Sequence, residues 1–138
     1  MIITDEIRQK VRQLAEKHNL SLVVLFGSQA TGRTHAKSDV DIGYASRREI
    51  DYQANYQISL ELARLFKNPD VEVVNIDNLA PVFKKQVADT GILLFQDKEH
   101  LFGFYKIQAI RDYMDTKPLR LYRDARLKRF IQKYAQFH

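Results

Sequence analysis

One short stretch constrains what this chain can fold into, because two strand-like segments flank a turn rich in small residues. The first segment, Leu22 to Phe26, is an apolar run of the β-branched and aromatic types that suit a buried strand. It stops at Gly27-Ser28, and a small-residue segment follows, Gln29 to Gly32. Ten residues separate Ser28 from Asp39-Val40-Asp41, where the chain enters a second strand-like segment that ends near Tyr44. The pattern predicts two neighbouring strands with a polar site where they meet.

The two aspartates predict a cation-binding site. Residues of a strand alternate between its faces, so Asp39 and Asp41 project to one side while Val40 and Ile42 project to the other. Two carboxylates about 4 Å apart repel by roughly 4 kcal/mol at an effective dielectric near 20. A cation between them removes this repulsion, and all-oxygen ligation suits Mg²⁺, which usually shares substrate phosphates. The turn at Gly27-Ser28 offers backbone N–H groups and a hydroxyl, which suit a phosphate.

At these residues the sequence resembles the nucleotidyltransferase superfamily of the DNA polymerase β type. The pattern of that superfamily is Gly-Ser, about ten residues, then Asp-x-Asp, and the matching positions are Gly27, Ser28, Asp39 and Asp41, with Ser38 directly before the first acid. The short chain is most similar to the minimal nucleotidyltransferase group, and within it to the MntA-type antitoxins that are paired with HEPN-domain toxins. The likeness is clearest from about residue 21 to 95.

The resemblance implies a set of site residues. Gly27, Ser28 and Ser38 would bind the nucleotide, and Asp39 and Asp41 would hold Mg²⁺, with two ions expected and ATP as co-substrate. In the superfamily a third acid lies on the strand after the next helix, and Glu72 occupies that position within Val71 to Ile76. We therefore expect Glu72 to join the aspartates as a catalytic and metal-binding residue.

Two alternatives to Glu72 remain open from the residues alone. Glu72 could instead face solvent on a half-exposed strand, and Asp70 or Asp77 could then supply the third carboxylate. Asp70 belongs to a turn formed by Asn68-Pro69-Asp70. Asp77, beside Asn78, is predicted to cap the following helix.

Composition excludes several classes of protein. The chain has 138 residues, enough for one domain with a core, and 45% of them are hydrophobic. It has no cysteine, which excludes disulfides, thiolate metal sites and a catalytic thiol. We find no signal peptide and no apolar run long enough to span a membrane, so we expect a cytoplasmic protein without membrane contact.

Periodicity predicts an alternation of helices and strands, which is an α/β pattern. The resemblance implies an α/β (α+β) nucleotidyltransferase fold, with a small mixed sheet and flanking helices. Helices are predicted over about 5–19, 51–66, 79–89, 99–113 and 119–134, with a short helix over 28–32; strands are predicted over 22–26, 40–44, 71–76 and 92–95. We interpret residues 1–97 as the nucleotidyltransferase core. Residues 98–138 would be a C-terminal helical segment packed on it, within a single domain overall.

The excess positive charge lies at the C-terminal end. From Leu101 to His138 there are nine Lys or Arg and three Asp, a net charge of +6, so the rest of the chain carries −1. A basic helix of this kind is either a surface for a partner or only a solvated helix face. Direct binding of nucleic acid is not expected, because no known reading module is present.

The resemblance implies an antitoxin that transfers AMP from ATP to a tyrosine hydroxyl of a cognate HEPN toxin, a ribonuclease. Two alternatives come from other classes of protein. One is a binding antitoxin of the same fold without catalysis, and the other is a small-molecule nucleotidyltransferase of the aminoglycoside-modifying kind.

Overall fold

A computed structural model of the chain describes residues 2–27, 30 and 39–135. Ser28, Ser38 and most of the short helix predicted over 28–32 lie outside the described residues. The described part contains five helices, four strands and one 3₁₀ turn. The helices are α1 (Asp5–Lys17), α2 (Tyr52–Phe66), α3 (Pro81–Thr90), α4 (Leu101–Asp115) and α5 (Lys117–Ala135); the strands are β1 (Leu20–Phe26), β2 (Val40–Ser46), β3 (Val71–Asn75) and β4 (Ile92–Gln96); the 3₁₀ turn is Ile76–Asn78.

The four strands form one mixed sheet in the order β3-β2-β1-β4. Strand β1 lies antiparallel to both β2 and β4, whereas β2 and β3 are parallel. Parallel neighbours cannot be joined by a tight turn, so α2 carries the chain from the end of β2 back to the start of β3. The mixed sheet with flanking helices confirms the predicted fold class.

Helices cover the sheet on both faces. Helices α1 and α2 pack on the face formed by side chains such as Val23, Leu25, Val40 and Ile42, each fully buried. Helices α3 and α4 pack on the opposite face through a second cluster of buried residues, Leu22, Val24, Ala45, Ile76, Val87 and Phe102. Asp41 of β2 belongs to this second face, because it alternates with Val40 and Ile42.

Side chains cap the first two helices as the sequence predicts for helix starts. The Thr4 hydroxyl accepts a hydrogen bond from the Ile7 N–H at 3.2 Å, and the Asp51 carboxylate accepts one from the Ala54 N–H at 2.8 Å. The predicted cap of the next helix at Asp77 is wrong.

Helix α3 begins after Ala80, which makes no side-chain cap, and Asp77 lies inside the 3₁₀ turn. Pro81 explains the later start, since its fixed φ and missing N–H suit the first turn of a helix.

Helices α4 and α5 differ in their contact with the core. Helix α4 buries Phe102 and Ala109, whereas no residue of α5 is buried. The start of α5 is held by Arg120, whose guanidinium carbon lies 3.6 Å from the centre of the Tyr113 ring and which donates a hydrogen bond to the Thr116 hydroxyl. The division at residue 98 stays a prediction. None of the helices described is long and apolar enough to cross a membrane.

Candidate active site

The two aspartates lie at the start of β2. Asp39 directly precedes the strand and is exposed, and Asp41 is partly buried within it, while Val40 and Ile42 are fully buried on the opposite face. The alternation predicted for this segment is therefore confirmed. The Asp41 carboxylate belongs to the face of the sheet that carries α3 and α4, and Asp39 lies near enough for its charge to act on Asp41.

Glu72 is the register partner of Asp41 in the parallel pairing of β2 with β3. Burial raises the pKa of the Asp41 carboxyl above its ordinary value, and the negative charges of Glu72 and Asp39 raise it further. A hydrogen bond with Glu72 acts in the same direction. The structure thus brings Asp39, Asp41 and Glu72 together into a concentration of negative charge at one end of the sheet.

Gly27 adjoins Asp41 from the other side, at the end of β1. Phe26 pairs with Asp41 across the antiparallel β1–β2 ladder, and Gly27 then turns away with a φ of +76°. A Cβ atom built on Gly27 would collide with Oδ2 of Asp41 and lie 3.2 Å from its Cγ. Glycine is required here twice, for the left-handed backbone and for the space that the Asp41 carboxylate fills.

A compact apolar support lies beside the carboxylates, and sequence analysis did not identify it. Gly43 lies two residues beyond Asp41 on the same face, and a Cβ on Gly43 would collide with Cγ2 of Ile76. The Ile76 carbonyl in turn accepts a hydrogen bond of 3.0 Å from the Tyr105 hydroxyl on α4. A glycine inside an apolar strand was the available signal, since it often marks close packing.

The alternatives to Glu72 lie elsewhere. Asp70 contributes backbone atoms, because its carbonyl accepts a hydrogen bond of 3.0 Å from the Val40 N–H at the start of the β2–β3 pairing. Asp77 lies in the 3₁₀ turn, and its charge acts on Tyr105, raising the pKa of that phenol together with the larger effect of burial. Of the three candidate acids, Glu72 is the one beside Asp41.

The oxygen donors fit magnesium better than a softer metal, since they are carboxylates. Within residues 2–27, 30 and 39–135, no three Asp, Glu or His side chains converge closely enough to form a metal site by themselves.

Comparison with known sequences assigns the chain to a family. The sequence model described as polymerase beta, nucleotidyltransferase matches residues 9–100, about two thirds of the chain and all of the strands. The chain belongs to the polymerase beta nucleotidyltransferase family. Its matched region contains Gly27, Asp39, Asp41 and Glu72.

Two protein adenylyltransferases are similar to the chain in sequence. The protein adenylyltransferase MntA of Shewanella oneidensis is 32% identical over 86 residues, which span 61% of this chain and 61% of that relative. The aligned part therefore covers less than two thirds of the Shewanella protein. The protein adenylyltransferase MntA of Aphanizomenon flos-aquae is 25% identical over 140 residues, 94% of this chain and 93% of that relative.

A solved structure is similar to this chain over more of its length than the family model covers. One chain of a toxin–antitoxin complex with AMP-PNP superposes with a TM-score of 0.73 at 25% identity. The superposition covers 90% of this chain and 98% of that chain. The polymerase beta nucleotidyltransferase fold and the helices that follow it in this chain thus have a counterpart in a solved structure.

Proposed function

We propose that this chain is the antitoxin of a toxin–antitoxin pair and transfers AMP from ATP to a tyrosine hydroxyl of a HEPN-domain toxin. The observation that carries the proposal is the position of Asp41, flanked by Gly27 on one side and by Glu72 on the other. The names of the Shewanella and Aphanizomenon relatives, both protein adenylyltransferases, support the reaction type. The likeness to a chain of a toxin–antitoxin complex with AMP-PNP supports the partner and the adenine nucleotide.

The three carboxylates divide the work of the reaction between them. Asp39 and Asp41 would hold Mg²⁺, with two ions expected, because Asp39 directly precedes β2, Asp41 lies near the start of that strand, and the charge of Asp39 acts on Asp41. Bound magnesium would neutralise the triphosphate and lower the pKa of the acceptor hydroxyl. Glu72, the register partner of Asp41 on the neighbouring strand, would orient that hydroxyl and accept its proton.

The chemical step is a single displacement at phosphorus. The tyrosine oxygen forms a bond to the α-phosphorus of ATP while the bond from that phosphorus to the bridging β-oxygen breaks. Pyrophosphate leaves with the electron pair of the broken bond, and the proton of the tyrosine passes to Glu72. The products are AMP-tyrosine and pyrophosphate, and the nucleotide would be held by Gly27, Ser28 and Ser38, of which only Gly27 lies in the described residues.

Transfer of AMP would inhibit the toxin by covalent modification, and the antitoxin would not need to stay bound. A binding antitoxin must stay bound, since mass action releases active toxin on dilution. A modifying antitoxin needs only a transient encounter, so a small amount should silence an excess of toxin.

The test is mass spectrometry of a HEPN-domain toxin after incubation with substoichiometric amounts of this protein, ATP and Mg²⁺. We expect one or more added AMP masses, inhibition that persists after the antitoxin is removed, and no added mass with Asp41→Asn. Asp70→Asn is the matched control, because Asp70 joins the same pair of strands through its backbone, and it should transfer AMP normally. Neutralisation at equal stoichiometry by Asp41→Asn, without any added mass, would instead identify a binding antitoxin.

A further inference from the structure

Helix α5 carries apolar side chains that the core does not cover. Four of them, Leu127, Phe130, Ile131 and Tyr134, follow each other at steps of three, one and three residues. This spacing places them on one face of a helix, and we call them the distal stripe. Each is more than half exposed, and the Phe130 and Tyr134 rings stack on each other with centroids 6.3 Å apart.

The same face of α5 borders a cleft at the start of the helix. Leu119, Arg120 and Arg123 precede the distal stripe at helical spacing and line a cleft of about 350 Å³. The first turn of α3 forms the other wall, with Phe83 among its half-exposed residues. One helical face therefore begins against α3 and continues as the distal stripe without burial over a helix roughly 28 Å long.

The charge of α5 indicates what kind of surface could cover the stripe. The helix carries seven Lys or Arg and one Asp, a net charge of +6 within 19 residues. Two copies of α5 laid together would bring these charges within the Debye length, which is about 8 Å at physiological ionic strength. A second copy of this chain is thus disfavoured, and a surface of opposite charge is favoured.

The side chains favour a protein over a nucleic acid. Nucleic-acid bases stack on open aromatic faces, whereas Leu127 and Ile131 are aliphatic and the two aromatic rings of the stripe already stack on each other. An apolar stripe at these spacings is the pattern by which a helix fits a hydrophobic groove in a partner protein.

We propose that the distal stripe docks in an apolar groove bordered by acidic residues on the partner protein, which under the proposed function is the HEPN-domain toxin. The identity of the partner rests on the proposed function, whereas the docking surface is inferred from α5 itself. The basic residues of α5 steer the encounter, and the distal stripe supplies the buried centre of the contact. Docking through a helix outside the core leaves the carboxylate end of the sheet open to the tyrosine that is modified.

The experiment compares substitutions of two leucines that lie on different faces of α5. Leu127 and Leu121 are 55% and 59% exposed and lie six positions apart, which turns them about 120° from each other. Leu127→Glu and Leu121→Glu therefore change charge, size and helix propensity equally. Isothermal titration with a HEPN-domain toxin that the wild type binds should show affinity weakened at least tenfold by Leu127→Glu and little changed by Leu121→Glu.

Several outcomes would overturn the proposal. If the two variants weaken toxin binding equally, or if Leu127→Glu does not weaken it, the distal stripe is not part of the interface. Dimerisation of this chain alone that Leu127→Glu abolishes would assign the stripe to a second copy. If Leu127→Glu weakens the binding of a short labelled RNA and leaves toxin binding unaffected, the distal stripe is a nucleic-acid surface.

Two further measurements separate this inference from the proposed function. A melting temperature for Leu127→Glu equal to that of wild type, with and without Mg-ATP, shows that the core and its nucleotide site are intact. If wild type binds the toxin through the stripe and yet adds no AMP to it, docking is supported and the catalytic proposal fails. If AMP is added and Leu127→Glu still binds normally, the docking proposal fails alone.

Discussion

Asp41 and Glu72 face each other as register partners across two parallel strands, although helix α2 separates them along the chain. A parallel pair brings side chains on the same face close together, and here it brings two acids beside a third, Asp39. Like charges directly opposite each other destabilise a sheet. The position is therefore unfavourable for folding and favourable for binding a cation, which is the usual mark of a functional site.

Gly27→Ala should reduce AMP transfer by about a hundredfold, because its Cβ would displace the Asp41 carboxylate and misplacement by about 1 Å costs this much in rate. The left-handed φ adds a stability cost of about 1–2 kcal/mol. Gly103→Ala is the matched control, since Gly103 lies in α4 with open space around it, and it should stabilise by up to about 1 kcal/mol. Transfer rates and urea denaturation of both variants test this; normal activity in Gly27→Ala would contradict the geometry.

Asp41→Asn should raise the free energy of unfolding in metal-free buffer by about 1 kcal/mol, the upper range for charge pairs near a surface. The reason is that it removes a partly buried charge that Glu72 and Asp39 repel. Added Mg-ATP should then reverse the order of stability, because only the wild type can gain from binding. Thermal melts in EDTA and in Mg-ATP measure both effects. An Asn variant stabilised by Mg-ATP as strongly as wild type would remove Asp41 from the metal site.

Glu61 should make stability depend on pH. Burial by itself raises the pKa of its carboxyl, but hydrogen bonds from Lys17 at 2.7 Å and His18 at 3.3 Å outweigh burial, and the pKa lies below its ordinary value of 4.5. A carboxyl with a lowered folded-state pKa stabilises the fold above its unfolded pKa, and this stabilisation is lost as the pH falls through the folded-state pKa.

Glu61→Gln should therefore lower the free energy of unfolding by about 1 kcal/mol at neutral pH, with the difference shrinking as the pH falls below 4.5. Urea denaturation across this range measures it. Glu6→Gln is the control, since the Glu6–Lys10 pair is exposed and should contribute less than about 0.5 kcal/mol. A difference for Glu61→Gln that does not change with pH would show that the ion pairs with α1 are not its cause.

Tyr105→Phe should destabilise the fold by about 1–2 kcal/mol, because the Ile76 carbonyl loses its hydrogen-bond donor. AMP transfer by the folded variant should change little, since Tyr105 supports the 3₁₀ turn and lies among buried side chains of the core. Denaturant unfolding and transfer rates, measured on the same preparation, separate the two effects. A large loss of transfer without loss of stability would instead assign Tyr105 to the reaction.

The sequence predicts most of the site because its residues sit in local patterns. The alternation of Asp39, Val40 and Asp41 predicts which side chains share a face, and the glycine after β1 predicts the turn beside them. The resemblance to the family is carried by the same short segment, whereas the fold class also rests on the alternation of helices and strands along the chain; both are confirmed. The roles of Gly27, Ser28, Ser38, Asp39, Asp41 and Glu72 remain predictions that the proposed variants test.

The contacts between distant segments could not be predicted in this way. Whether Glu72 lies beside Asp41 depends on the parallel pairing of two strands, which is decided by long-range packing and not by either strand alone. The packing of Ile76 over Gly43 and the hydrogen bond from Tyr105 depend on how α4 lies on the sheet. The cap predicted at Asp77 was wrong because Pro81, four residues later, is the better first residue for a helix.

Among the four strands that the structure describes, β3 is at the edge of the sheet beside β2, whereas β2 is interior. An edge strand of five residues can open while the rest of the domain stays folded, and its amide protons should exchange with solvent sooner than those of β1. Such an opening would carry Glu72 away and leave Asp39 and Asp41 in place. In this native-like state the protein would keep the aspartates for its nucleotide but lack its proton acceptor. Heating would therefore reduce catalytic turnover at a lower temperature than it unfolds the domain.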